Sequence, residues 1–347
     1  ERERERAKIM KYFSIVIPRQ LVVCICFVII IINNCFSKKQ PNVTVLKQWP
    51  MLGAHDAATT YLPEGLINRW AKTQPSGGIK QLLDCGVRFF DWRPKLLSNG
   101  NLIMHHSAID VKYPMSKVLD DLSEWLSNNT DQEAPENNFV VLGITDCDAQ
   151  HPKTEQQCYD AAAQELQKHN MAFIRNCTLT HNMTVSTAMK LSKLPVLGFQ
   201  SCWDENYDKH IACSGFGNSY NMKNDATITT SLSSPNRVEY TCYNDSDSKS
   251  FPLNRMYDYI NKTLTNMTNP VQMFTVQCIW QETVDSVIVS GLHGSSLLLD
   301  ETKSQINLLI AKKIMNNEFD VSHVNVLEIN NVCDNGIVLL NALREKS

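Results

Sequence analysis

Six residues with acid–base or anion-binding side chains are concentrated in three short segments of the first third of the chain. The segments are "LGAHDAATTYL" with His55 and Asp56, "FFDWRP" with Asp91 and Arg93, and "LIMHHSA" with His105 and His106. One imidazole can take a proton and another can give one, while a guanidinium can stabilise an anionic transition state. Together these residue types form a complete apparatus for acid–base catalysis on an anionic centre.

The residues in "RFFDWRP" also have a simpler explanation. Side chains alternate faces along a strand, so Asp91 and Arg93 are expected on the same face, where an ion pair would brace the strand end. Two adjacent histidines can likewise form a metal pair as well as a catalytic one. Because three consecutive predicted strands end in such residues, the grouping favours the catalytic hypothesis.

Strand-like and helix-like segments alternate along the chain and must position these residues. Strands are predicted at 43–52, 87–93, 101–106, 138–145, 195–200, 272–280 and 324–330, and helices at 114–127, 154–169, 252–265 and 300–316. Roughly seven or eight strand–helix units predict a (β/α)8 TIM barrel, whose active site lies at the carboxyl ends of the strands. A doubly wound open sheet is the alternative, although no Gly-x-Gly-x-x-Gly follows the first strand.

Residues 201–250 interrupt this alternation. The stretch is polar, poor in aliphatic residues and contains three cysteines, so we interpret it as a disulfide-braced loop insertion. The rest of residues 38–347 is predicted to be a single barrel domain. Residues 1–37 are predicted to lie outside it, as nine upstream residues followed by an export signal.

The segment from Met10 to Ser37 has the pattern of a signal peptide. Lys11 and Arg19 are basic, and the apolar run from Leu21 to Ile32 is shorter than the about 20 residues that cross a membrane. Cleavage near Ser37 would give a secreted or lumenal protein. An uncleaved signal anchor that tethers the chain to a membrane is the alternative.

Sequons and cysteines agree with export. Asn-x-Ser/Thr sequons occur at Asn42, Asn128, Asn176, Asn182, Asn244, Asn261 and Asn266. Nine cysteines follow residue 37 without any Cys-x-x-Cys pair, so disulfides are expected and zinc is not. The formal net charge of −3 and the lack of a basic stripe argue against a nucleic-acid partner. The sequence gives no indication of oligomeric state.

Three motifs in order, "GAHDA", "GVRFFDWRP" and "LIMHHS", resemble the X-domain of phosphatidylinositol-specific phospholipases C and their PLC-like phosphodiesterase relatives. The resemblance is strong over residues 50–107, looser to 146, and returns at 323–341. It implies a TIM-barrel phosphoric diester hydrolase that cleaves a phospholipid or glycosylphosphatidylinositol headgroup at a membrane surface.

The same resemblance implies a role for each motif residue. His55 would be the general base, His106 the general acid, and Asp56 would orient His106. Arg93 would bind the phosphate, and Asp91 would hold Arg93 or the attacking hydroxyl.

Arg93 also indicates whether a metal cofactor is expected. The calcium-dependent relatives carry an acidic metal ligand at this position, so the chain resembles the metal-independent, bacterial-type branch. The resemblance therefore implies no metal, no calcium requirement and no other cofactor. Asn330 and His105 are candidate supporting residues.

Three positions depart from the family pattern. Ser107 follows His106 where the family usually has glycine, and Asn330 replaces an aspartate that faces the base histidine in bacterial-type enzymes. Thr145 and Asp146 stand where an inositol-binding lysine is expected. Ser107 and Asn330 favour an alternative, a catalytically silent barrel that acts as a secreted binding or recognition protein. A metal-dependent relative, such as a glycerophosphodiesterase, is a further alternative that Arg93 disfavours.

Overall fold

The structure, a computed structural model, covers most of the chain from residue 44 onward. It describes residues 44–65, 68–129, 134–144, 146–175, 182–200, 275–279 and 294–347, with short pieces at 257, 260–261 and 264–265. The predicted upstream and signal segment at 1–37 and the predicted insertion at about 201–250 lie outside the described residues. None of the helices in the described part has the length and apolar character needed to cross a lipid bilayer.

A seven-stranded parallel sheet forms the centre of the fold. Its strands, in spatial order, are β10 (Thr275–Cys278), β11 (Val326–Ile329), β1 (Met51–Ala54), β2 (Val87–Trp92), β6 (Val140–Ile144), β9 (Val196–Gln200) and β8 (Ala172–Ile174). Strands β1, β6, β10 and β11 are buried along their whole length. Parallel strands are covered on both faces, which explains why the sequence shows continuous apolar runs there.

The last strand of the chain lies against the first. β11 pairs with β1 over four residues, and β1 pairs in turn with β2. This circular order is typical of a β/α barrel, and it excludes the doubly wound alternative, in which the first and last strands lie apart. The predicted TIM-type α/β fold is confirmed. Within the described residues the sheet has seven strands, and no pairing joins β8 to β10 to close the ring.

Helices cover the sheet. Their bounds are α1 (Asn68–Ala71), α2 (Gly78–Asp84), α3 (Met115–Asn128), α4 (Glu155–Lys168), α5 (Val185–Met189), α6 (Leu297–Ser304), α7 (Ile306–Met315) and α8 (Gly336–Lys346). The apolar positions that predicted α3 are all buried, as expected for an amphipathic helix on a sheet. α4 begins with a capping box in which Thr154 and Gln157 satisfy each other's backbone amides.

The single helix predicted at 300–316 is wrong in its extent. Gln305 adopts a left-handed conformation with φ of 54° and separates α6 from α7. A residue in that conformation ends a right-handed helix. The break lies between two buried polar residues, Glu301 and Asn307.

The segment "LIMHH" is not a strand of the barrel sheet, contrary to prediction. It forms β4 (Leu102–His106) of a second sheet, in which β5 (Ile109–Pro114), β4, β3 (Pro94–Leu96) and β7 (Asp148–Ala149) lie side by side. β3 and β4 form an antiparallel hairpin directly after β2. Pro94 lacks a backbone donor and so suits the point where β2 leaves the main sheet. The hairpin brings the chain back, and His105 N donates to Arg93 O at 2.9 Å.

Two disulfides join distant and nearby parts of the chain. Cys85, at the end of α2, is bonded to Cys333 across a separation of 248 residues, and Cys147 is bonded to Cys158 in α4 across 11 residues. Both agree with the predicted use of cysteines. The three cysteines of the predicted insertion lie outside the described residues.

The two disulfides differ in the length of chain that they close, so they should differ in their effect on stability. Cross-linking restricts the unfolded chain more when the loop is longer. We expect Cys85→Ala with Cys333→Ala to lower the free energy of unfolding by about 2–5 kcal/mol, and Cys147→Ala with Cys158→Ala to lower it by less. Chemical denaturation of the two double variants measures this difference. Equal losses would contradict the loop-length explanation.

Candidate active site

The carboxyl ends of three neighbouring strands bring the predicted residues together. β1 ends immediately before His55 and Asp56, β2 before Arg93, and β11 before Asn330. β1 pairs with both β2 and β11 near these ends, so all four residues lie at the same edge of the sheet. This is the edge at which TIM barrels place their active sites.

The glycine of the "LGAHDA" segment is required by close packing of strands. A Cβ atom at Gly53 would lie 2.9 Å from Val326 Cγ1 and 3.2 Å from Glu328 Cα. Any larger residue would therefore push β11 away from β1. Gly53 keeps Asn330 within reach of His55.

Arg93 joins two buried aspartates. Its Nε lies 2.8 Å from Asp56 Oδ1 and 3.0 Å from Asp91 Oδ2, and its Nη2 lies 2.8 Å from Asp91 Oδ2. Asp91 Oδ2 also accepts a hydrogen bond from the Asp56 backbone N–H at 3.1 Å. Asp91 and Arg93 thus belong to a three-residue cluster rather than to an isolated ion pair at a strand end.

The Asp56 carboxylate lies between the two imidazoles of the motifs. Its Oδ2 is 3.3 Å from His55 Nε2 and 3.1 Å from His106 Nε2. Asp56 has a φ of 45°, in the left-handed region that aspartate tolerates better than most residues. The structure therefore brings together His55, Asp56, Asp91, Arg93 and His106, the five residues predicted to be catalytic.

Hydrogen bonds fix the backbone and the second ring nitrogen of His55. Its Nδ1 lies 2.9 Å from Asn330 Oδ1. Its carbonyl oxygen accepts from Thr73 Oγ1 at 2.8 Å and from Gln74 Nε2 at 2.9 Å. Gln74 Nε2 also donates to the Ile329 carbonyl at 3.0 Å, which ties the end of β1 to the end of β11.

Asn330 is held in turn by residues on both sides of the α6–α7 break. Its Nδ2 donates to Glu301 Oε1 at 2.8 Å, and its carbonyl oxygen accepts from Asn307 Nδ2 at 3.3 Å. Sequence analysis identified neither Glu301 nor Asn307. Glu301 lies in "LLLDETKS", which looks like the polar face of a surface helix, yet the residue is 1% exposed.

Burial and neighbouring charges set the protonation of the cluster. Burial raises the pKa of Asp56, but Arg93, His55 and His106 outweigh burial and hold that pKa well below its usual range. Burial lowers the pKa of His55; Arg93 adds to this effect, while Asp56 and Asp91 oppose it. Burial also lowers the pKa of Arg93, but Asp56 and Asp91 outweigh it and raise the pKa above its usual value. At neutral pH the cluster therefore contains an ionised Asp56, a neutral His55 and a cationic Arg93.

A further buried acid, Glu328, lies beside the cluster on β11. Its Oε2 accepts a hydrogen bond from Gln277 Nε2 at 2.9 Å. Burial raises the pKa of Glu328 well above its usual value, and the charge of Asp91 acts in the same direction. Glu328 therefore favours its neutral form next to the aspartates.

The His105 imidazole lies apart from the cluster in the side-chain contacts that the structure describes. Its Nδ1 is 3.0 Å from the Ser107 carbonyl oxygen, and its side chain lines a separate cavity of about 430 Å³ with Asp146, Asp148 and Glu155. Asp146 thus borders this cavity, while Thr145 lies outside the described residues. Ser107, which follows His106, has a φ of 52°. Glycine adopts this conformation most readily, which agrees with the glycine that the family pattern usually has after this second histidine.

Three side chains of the cluster have donor atoms close enough together to hold a metal ion. One ligand-type atom from each of His55, Asp56 and Asp91 lies within 4.8 Å of the other two. Arg93 contacts both carboxylates, so a permanent cation already neutralises this donor set. The residues present fit a guanidinium better than an added divalent ion.

The lowered pKa of His55 makes the stability of the protein depend on pH. The unfolded chain binds a proton on this residue below pH about 6.5, whereas the folded chain does not until a lower pH. Its contribution to stability is therefore complete above that pH and is lost as the pH falls. Between pH 7.5 and 5.5 we expect His55→Gln to lose about 1 kcal/mol less free energy of unfolding than the unmodified protein.

Denaturant unfolding at the two pH values measures this difference. His323→Gln is the matched control, because His323 is exposed and far from the cluster in sequence. An unchanged pH dependence in His55→Gln would show that His55 is not the buried neutral imidazole described above.

Comparisons with known proteins find similar sequences over part of the chain. No family model matches. The 1-phosphatidylinositol phosphodiesterase of Staphylococcus aureus (strain Newman) is 29% identical over 110 residues, which cover 31% of this chain and 33% of that protein. The variant-surface-glycoprotein phospholipase C of Trypanosoma brucei brucei is 30% identical over 82 residues, 24% of this chain and 22% of that protein. The matched segment thus spans a third or less of these relatives.

The fold is similar over nearly the whole chain. A solved structure of the phosphatidylinositol-specific phospholipase C of S. aureus matches with a TM-score of 0.55 and 18% identity, covering 90% of this chain and 96% of that one. At this identity the likeness establishes the fold. Together with the shared sequence segment, this likeness supports the predicted resemblance to the PLC-like phosphodiesterase superfamily.

Proposed function

We propose that the protein is a phosphoric diester hydrolase that cleaves a phospholipid headgroup by phosphatidylinositol-type phospholipase C chemistry. One observation carries the proposal: a single buried carboxylate, Asp56, contacts two imidazoles and a guanidinium at the carboxyl edge of the sheet. The relatives named above, a phosphodiesterase and a phospholipase C, act on ester bonds of this kind. The alternative of a silent barrel gains support from Asn330 and Ser107 alone.

In the proposed reaction His55 is the general base and His106 the general acid. On an inositol lipid, the ring hydroxyl next to the phosphate gives its proton to His55 Nε2, and its oxygen forms a new bond to phosphorus. The bond from phosphorus to the diacylglycerol oxygen breaks, and that oxygen receives a proton from His106. The products are diacylglycerol and a cyclic inositol phosphate. His55 being neutral at neutral pH suits it to take a proton.

Arg93 takes the place of a metal in this proposal. Its side chain keeps 21% of its surface exposed and that of His106 keeps 18%, whereas Asp56 is fully covered. The acid and the guanidinium therefore face the side from which a phosphate would approach. Arg93 is held from behind by two aspartates, so its planar group is oriented before the substrate binds, and no cofactor is required.

The proposed substrate is a lipid at a membrane surface outside the cell. Three of the sequons, at Asn128, Asn182 and Asn261, fall in described residues and are exposed, as glycosylation requires. The two disulfides also suit an oxidising compartment. A phosphatidylinositol lipid and a glycosylphosphatidylinositol anchor share the same phosphodiester, so both belong to the proposed substrate class.

The acid–base assignment gives the first functional test. Incubated with phosphatidylinositol vesicles, the purified full chain should release diacylglycerol, and His55→Ala and His106→Ala should each lower turnover by at least about 100-fold. Phosphatidylcholine vesicles and a glycosylphosphatidylinositol-anchored protein complete the panel. Release from none of the three would support the silent barrel. A near-normal rate in either histidine variant would refute the assigned roles.

Arg93 gives a second test, which separates catalysis from strand bracing. Activity should persist in chelator and gain nothing from added calcium. Arg93→Lys should lose about 100-fold in turnover, because an ammonium cannot keep the paired planar contacts of a guanidinium. Turnover is measured per folded molecule, with thermal stability measured on the same sample.

Arg88→Lys is the matched control in the same strand. Arg88 donates to the carbonyls of Leu83 and Val87 and lies outside the cluster in the contacts described. It should affect stability and leave turnover nearly unchanged. If Arg93→Lys behaves like Arg88→Lys, or if chelator abolishes activity, Arg93 does not replace a metal.

A further inference from the structure

Behind His55, the amide of Asn330 connects the imidazole to a buried carboxylate. Asn330 Oδ1 lies 2.9 Å from His55 Nδ1, and Asn330 Nδ2 donates to Glu301 Oε1 at 2.8 Å. All three residues are at most 5% exposed. Position 330 thus carries an amide instead of a carboxylate, and the carboxylate of Glu301 on helix α6 lies behind that amide.

The direction of these hydrogen bonds follows from the chemistry of the groups. Asn330 Nδ2 donates to Glu301 Oε1, so the NH₂ end of the Asn330 amide faces Glu301. The amide oxygen must then face His55, and it can accept a hydrogen bond but not donate one. His55 consequently carries its proton on Nδ1, which leaves the lone pair of Nε2 on the side of Asp56 and His106.

The backbone of Asn330 is also fixed, so its side chain has a defined origin. Asn307 Nδ2 donates to the carbonyl oxygens of Asn330 and Asn331, both at 3.3 Å. Asn331 N donates to the Thr73 carbonyl at 2.8 Å. The α6–α7 break places Glu301 and Asn307 on the two sides of this residue. The contacts of the amide with His55 and Glu301 oppose its rotation.

We propose that Glu301 is a positioning residue that orients the Asn330 amide and thereby sets the tautomer of His55 for its role as general base. The inference rests on the proposed function for its effect on turnover, whereas the tautomer itself can be measured without a substrate.

Other charged groups around His55 also shift its pKa. Among the described residues, the charged and titratable groups that face it or lie beside its partners include Asp56, Asp91, Arg93, His106, Glu328 and Glu301. Asp56 and Arg93 belong to the same cluster and have opposite charges. Glu301 alone among these groups reaches His55 through Asn330, so its substitution changes the Nδ1 side of the ring and leaves the Nε2 side intact.

The tautomer is measured by ¹⁵N NMR of the full chain labelled at histidine. The resonances of His55 are identified by their loss in His55→Ala. In the unmodified protein we expect a protonated Nδ1 and an unprotonated Nε2. In Glu301→Gln, whose amide can present either end to Asn330, we expect a mixture of tautomers. Because the hydrogen bond to Asn330 raises the pKa of His55, we also expect a lower pKa of His55 in this variant.

Asp300→Asn is the matched control. Asp300 neighbours Glu301 on α6, is equally buried, and accepts a hydrogen bond from Ser295 rather than from Asn330. It should leave the His55 tautomer and pKa unchanged. If Glu301→Gln leaves them unchanged as well, the proposal is overturned; if Asp300→Asn alters them equally, the effect is a general one of helix α6, and the proposal is again overturned.

Exchanging the two groups tests the relay by rescue. Asn330→Asp alone places two carboxylates against each other and should lower turnover by about 10-fold or more. Adding Glu301→Gln supplies an amide that donates to the new carboxylate, and turnover should recover at least several-fold, although Glu301→Gln alone is harmful. A purely structural role predicts that the two losses add. Additive losses would overturn the proposal.

The two proposals fail in different ways. If the unmodified protein cleaves no phosphodiester while the NMR results are as expected, the relay stands and the proposed function falls. If cleavage occurs and the tautomer is insensitive to Glu301→Gln, the function stands and the relay falls.

Discussion

The buried carboxylate of Asp56 is the interaction on which the rest of the site depends. It is covered on all sides and contacts Arg93, His55 and His106 at distances of 2.8–3.3 Å. A buried charge without partners costs several kcal/mol, so this carboxylate requires a cation beside it, which Arg93 supplies. Its partners come from the end of β1, the end of β2 and the second sheet. The packing of these three elements and the ionisation of Asp56 therefore depend on each other.

The second sheet begins directly after Arg93, where β2 leaves the main sheet. A barrel strand that continued past Arg93 would carry the following residues away from the site. Pro94 marks the departure, and the β3–β4 hairpin returns the chain so that His105 N pairs with Arg93 O. His106, at the end of β4, therefore reaches Asp56 from the second sheet rather than from a parallel strand of the main sheet.

The sequence was sufficient to predict the parts of the site that are local. His55, Asp56, Asp91 and Arg93 lie at the ends of strands with strong apolar runs, and those strands place all four residues at one edge of the sheet. The second sheet was missed because "LIMHH" has the composition of any strand, and parallel or antiparallel pairing depends on which strand it meets. Glu301 was missed for a similar reason: its burial depends on contact with a residue 29 positions away, which leaves no local pattern.

The charge balance of the cluster links the choice of an arginine to the asymmetry between the two histidines. On the proposed mechanism, Asp56 and Asp91 supply two negative charges, while Arg93 and a protonated His106 supply two positive ones. The sum is zero if His55 and Glu328 are neutral, and the pKa of each is shifted in the direction that makes it so. A divalent ion in place of Arg93 would leave the cluster with one more positive charge. With the single positive charge of Arg93, Asp56 stays ionised while His55 stays neutral and free to accept a proton.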